Sequence, residues 1–78
     1  MSIQPKFRPF ELIRQRRLME LYDWGKANIT DGEMFETIAM NRLTNRALEN
    51  YGVTYVTALN YAKVVLFKLR KEAKEVGQ

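Results

Sequence analysis

The side chains that most often do chemistry are missing from this chain: its 78 residues include no histidine and no cysteine. Their absence removes the preferred ligands of zinc, the thiol and imidazole nucleophiles, the commonest general base and any disulfide framework. The acid–base candidates that remain, Asp31, Glu33 and Glu36, cluster in one short stretch. Carboxylates there suit the positive N-terminus of a helix, which accounts for them without metal or proton-transfer chemistry. There is no glycine-rich phosphate loop, nucleophile elbow or metal-ligand spacing, so neither an enzyme nor a metal or cofactor site is expected. Positive charge is the conspicuous resource, with 13 Lys and Arg against 9 Asp and Glu and a sequence pI of about 9.6. Residues 1–25 carry five cations against three carboxylates, residues 26–50 three against four, and residues 51–78 five against two. Basic ends around a slightly acidic middle fit a polyanionic partner, although many small soluble proteins are as basic.

A chain of this length is one domain and buries only about 60% of its unfolded surface, which leaves oligomerisation as a source of further stability. The longest apolar run, residues 64–67, is far too short to span a bilayer. The first ten residues have neither a secretory apolar core nor the glycine that myristoylation needs. A cytoplasmic protein without a membrane partner is the expectation, nucleoid-associated if it binds DNA.

Four helices and no strand are expected. Residues 1–8 form a basic arm with Lys6 and Arg8, and residues 9–78 a single helical domain. Pro9 suits a first helical position, where its missing N–H costs nothing. Residues 10–24 read as the first helix, with Phe10, Leu12, Ile13, Leu18, Met19, Leu21 and Tyr22 as a broad buried stripe and Gly25 as its C-cap. Thr30 and Glu33 have capping-box spacing, and Ile29 can staple onto Met34, so a second helix should start near Asp31 and turn Met34, Phe35, Ile38 and Ala39 inward. Unbroken to Tyr51, it would spread apolar residues around its whole circumference. A break within residues 41–44 restores one face and leaves residues 45–51 as a third helix. The last helix follows Thr54, an apt N-cap, and runs about 22 residues, some 33 Å.

Residues 45–63 therefore read as a helix, the turn Gly52-Val53-Thr54 and a second helix, with glycine free to take positive φ. This segment resembles the helix-turn-helix superfamily of DNA-binding domains. Ala47, Tyr51, Val53, Ala58 and Tyr61 fall where that family places the apolar residues that lock its two helices together. Leu48 stands where the family prefers a small residue, with Ala47 beside it. The resemblance implies an all-α, helix-turn-helix-type domain without a β wing, binding double-stranded DNA. It also implies a recognition helix whose Thr54, Tyr55, Val56, Asn60 and Lys63 face the bases. Asn60 suits adenine, Lys63 guanine or phosphate, and Val56 a thymine methyl. Thr44, Arg42, Arg46, the Arg14, Arg16 and Arg17 cluster, Lys6 and Arg8 are the matching phosphate candidates. The bland alternatives are a corner in a small helical bundle and, for the arginines, a solvated helix face.

The last helix carries a second pattern. Tyr55, Leu59, Ala62, Leu66, Leu69, Ala73 and Val76 alternate spacings of four and three, the seam of a coiled coil. Val64 and Phe67 lie off that seam, so residues 64–67 are apolar all round and should be buried all round. A homodimer through Val64, Leu66, Phe67, Leu69, Ala73 and Val76 is one arrangement; the first helix folding back over the second face is the other. The corresponding functional alternative to DNA binding is a helical protein–protein assembly module that uses the apolar faces of the last helix.

Overall fold

The computed structural model describes residues 9–76, and the side chains of residues 11–75. Within them the chain is all-α, with α1 (Pro9–Asn28), α2 (Thr37–Tyr51) and α3 (Tyr55–Val76) and no strand among the described residues. Lys6 and Arg8, and the side chains of Phe10 and Val76, lie outside that description.

Three helices stand where four were expected, and the difference originates at residues 29–36. The capping box forms: the Thr30 N–H donates to Glu33 Oε1 at 3.1 Å and the Glu33 N–H to Thr30 Oγ1 at 3.2 Å. It closes a series of tight turns, however, with Met34 N–H bonded to Asp31 O and Glu36 N–H to Glu33 O. A helix from Asp31 would need the Met34 carbonyl to accept from residue 38. Here Arg70 Nε takes that carbonyl at 2.8 Å, and the Met34 side chain is buried in the core. Glu36 is extended, makes no side-chain cap bond, and α2 begins one residue later. That late start resolves the circumference problem, since Ala39, Leu43 and Ala47 now fall on one buried face and no break at residues 41–44 is needed. Phe35 and Ile38, expected inside, are exposed. Thr44 is not at a helix N-terminus holding a phosphate. It is buried in mid-α2, its hydroxyl donating to the Met40 carbonyl at 2.8 Å.

α1 begins at Pro9 as expected but runs a full turn past Gly25. Gly25 serves packing instead of capping: a Cβ there would stand 3.0 Å from Leu69 Cδ1 and 3.1 Å from Leu43 Cδ2. Its bare backbone lets all three helices meet at one point. Of the stripe expected on α1, Leu21 is in the core and Leu18 and Tyr22 pack against it. Leu12, Ile13 and Met19 are exposed, because no described element covers the outer turns of the helix.

The middle of the α3 seam, Ala62, Leu66 and Leu69, is buried within the single chain, whereas Tyr55 at its head is exposed. Leu66 and Leu69 are only 1% and 3% exposed, and Ala73 packs against the same core. They are therefore not the dimer contact expected of them, since α1, α2 and the Ile29 and Met34 side chains already cover that face. Fully buried Ala39, Ala47, Ala58 and Ala62 leave little between the α2 and α3 backbones.

Candidate nucleic-acid interface

The corner between α2 and α3 is built as its residues dictate. Gly52 adopts φ 59°, ψ 28°, the left-handed conformation that favours glycine, and its N–H returns to the Leu48 carbonyl at 3.2 Å. Val53 packs against the core, and the Thr54 hydroxyl accepts the Thr57 N–H at 3.3 Å to cap α3. Ala47, Ala58 and Tyr61 are buried on the inside of this corner, with Tyr51 and Leu48 packed at its edge. The two helices are thus fixed relative to each other by a three-residue turn and a small-residue crossing.

The leading turns of α3 point their outer side to solvent. Thr54, Tyr55, Val56, Asn60 and Lys63, the five expected base-reading residues, are all exposed. The Thr54 hydroxyl is occupied, since it also donates to Thr57 Oγ1. From residue 55 to residue 71 the helix carries Lys63, Lys68, Arg70 and Lys71 and no carboxylate. The charges this stretch itself carries are all positive.

The expected phosphate contacts divide. Arg14 and Arg16 are exposed on α1. Arg17 is drawn inward, with its guanidinium 5.2 Å from the Tyr51 ring centre and Nη1 donating to the Tyr61 hydroxyl at 3.4 Å. Arg42 pairs with Glu33 at 2.8 Å, and Arg42 and Arg46 both lie against the Trp24 ring, at 5.7 and 5.3 Å. Arg46 Nε is buried without a hydrogen-bond partner among the described residues. These three arginines stitch α1 to α2 and the corner.

Two further features were missed. Phe35 and Phe67 flank a shallow groove with Lys63, Arg70, Lys71 and Lys74 around it and no carboxylate in its lining. Spacings of four, three and four from Lys63 through Phe67 and Arg70 to Lys74 place those residues on one stripe and were legible in the sequence. Phe35 is not legible there, because the capping-box spacing turns it inward on a helix that in fact starts at Thr37. On the other flank of Phe67, an open groove between α1 and α3 contains Leu18, Met19 and Val64, rimmed by both lysines and carboxylates.

The titratable groups are structural ties. Burial, and then the bond to Glu20, push the Tyr51 hydroxyl up to about 12. The hydrogen bond to Glu72 raises Tyr22, and the Thr30 backbone N–H, helped by Arg42, holds Glu33 below the usual carboxylate range. None of them is poised near neutral pH. No protein-family model, curated protein or solved structure matches the chain.

Proposed function

We propose that this protein binds double-stranded DNA as a helix-turn-helix-type domain, laying the leading turns of α3 in the major groove. One observation carries the reading: Tyr55, Val56, Asn60 and Lys63 stand exposed together just beyond a rigid corner, on a helix with no carboxylate before Glu72. A helix of about 10–12 Å diameter fits a major groove of about 12 Å. There Asn60 bonds an adenine edge through its two amide atoms, Lys63 reaches guanine or phosphate, and Val56 meets a thymine methyl. Arg14 and Arg16 add phosphate contacts, and the protein resides with the DNA, in the cytoplasm on the nucleoid.

A second reading, an assembly module, is favoured by the exposed apolar trio Met19, Val64 and Phe67. With Leu66 and Leu69 in the core, these exposed residues beside the α1–α3 groove are a surface a second copy could grip, and a dimer would give DNA two reading helices.

Fluorescence anisotropy with duplex DNA across a salt series tests the proposal. Four neutralised phosphates lower affinity roughly a hundredfold between about 50 and 200 mM salt. Affinity that is indifferent to salt would refute it. Asn60→Ala is expected to flatten sequence preference while leaving non-specific affinity nearly intact; an equal loss on every duplex would contradict base reading by Asn60.

A further inference from the structure

The groove beside the reading helix has a composition that double-stranded DNA does not use. Its open walls are the rings of Phe35, 53% exposed, and Phe67, 73% exposed. Its floor, Met40 and Leu66, is largely closed, with Leu66 fully in the core. The rim is Lys63, Arg70, Lys71 and Lys74, four cations and no carboxylate. Phenyl rings left in water are unfavourable until a flat partner covers them, and the sugar–phosphate wall of a duplex offers them none. The bases of a duplex are stacked on one another and closed to them.

We infer that this groove binds unpaired DNA, with bases stacked on Phe35 and Phe67 and the backbone led along Lys63, Lys71 and Lys74. Three observations favour it. The rim is of one sign, so the occupant is anionic. The exposed apolar surface is two phenyl rings beside a shallow groove and not a deep pocket, so it suits a stacked base better than the buried side chain of an acidic peptide helix. Arg70 is already organised, its Nε bonded to the Met34 carbonyl at 2.8 Å and its guanidinium 5.8 Å from the Phe35 ring centre. That arrangement covers one face of the Phe35 ring, leaves the other for a base, and keeps the outer guanidinium nitrogens for a phosphate oxygen. Lys63 is shared between this groove and the turns proposed to read a duplex, so the two surfaces adjoin.

The test compares a thymidine oligonucleotide of about 12 nucleotides with a duplex of the same length by anisotropy, using the whole chain. Phe35→Ala and Phe67→Ala remove exposed rings and leave the core intact, which circular dichroism checks. Each is expected to weaken single-strand binding roughly 5- to 100-fold and duplex binding less than about twofold, with Phe67→Trp retaining the single strand. Equal losses on both ligands, or none on the single strand, would overturn the inference. So would a uridine oligonucleotide or a polyglutamate peptide that binds as tightly and is as sensitive to the two changes. A dimer mass by light scattering that Phe67→Ala abolishes would assign the ring to a second copy and also refute it. If the single strand binds as described while the duplex does not, the groove stands and the major-groove reading falls.

Discussion

Gly52→Ala isolates what the left-handed backbone at the corner is worth. A Cβ at Gly52 meets nothing within 4 Å, so the substitution introduces no clash and removes no contact. Only the backbone is strained, at φ 59°, ψ 28°, where an ordinary side chain costs about 1–2 kcal/mol. Against this, alanine stiffens the unfolded chain and returns about 0.4–1 kcal/mol. The net loss is roughly 1 kcal/mol, a fall in Tm of about 4–8 °C for a domain of this size. Asparagine tolerates the left-handed region, so Gly52→Asn should lose less than half as much. Urea unfolding followed by far-ultraviolet circular dichroism measures both, with an unchanged denaturant slope showing that only stability has moved. An alanine variant as stable as the parent, or an asparagine variant no better than alanine, would refute the reasoning. The contrast with Gly25 is instructive, since there a Cβ confronts two core leucines and sterics would dominate the outcome.

Leu66→Ala separates a core seam from an interface seam. It is expected to cost about 2–5 kcal/mol at every protein concentration, and a loss that grows on dilution would return Leu66 to a dimer contact. Tyr51 predicts alkaline sensitivity. Its raised value means the folded chain holds a proton that the unfolded chain releases near pH 10, so stability is full below pH 10 and falls up to about 12. Discounted for its partial exposure, the effect is on the order of 1 kcal/mol. Tyr51→Phe should flatten that part of the pH–stability curve relative to the parent, and an unaltered slope would exclude Tyr51 as its source.

Local chemistry was well legible where it was self-contained. Pro9 at the head of α1, the Thr30–Glu33 box and the turn at residues 52–54 all depend on near neighbours, and each stands where its residues place it. What failed depended on distant partners. The same box could open a helix or close a turn, and here it closes one whose Met34 carbonyl accepts from Arg70, 36 residues away. Gly25 has the look of a helix terminator, yet its reason lies in Leu43 and Leu69 on two other helices. The heptad spacing on α3 recorded the burial of Ala62, Leu66 and Leu69, though not the exposure of Tyr55, and did not say what covers them. One chain's own α1 and α2 satisfy it as well as a second copy would. Of the candidate site, the exposed positions at the start of α3 followed from the turn. The inward pull on Arg17, Arg42 and Arg46 did not, because it needs Tyr51, Tyr61, Glu33 and Trp24 brought to them by the fold.

The stack of Arg42 and Arg46 on Trp24 gives the molecule an optical handle. Trp24 is the one tryptophan in the chain, and its ring is clasped between α1 and α2 beside two guanidinium groups. Its emission therefore reads a single joint. It should shift when α1 parts from α2, and it should stay still when a ligand settles on the outer face of α3. Without any added dye, the protein's own fluorescence distinguishes loosening of the frame from occupation of the surface.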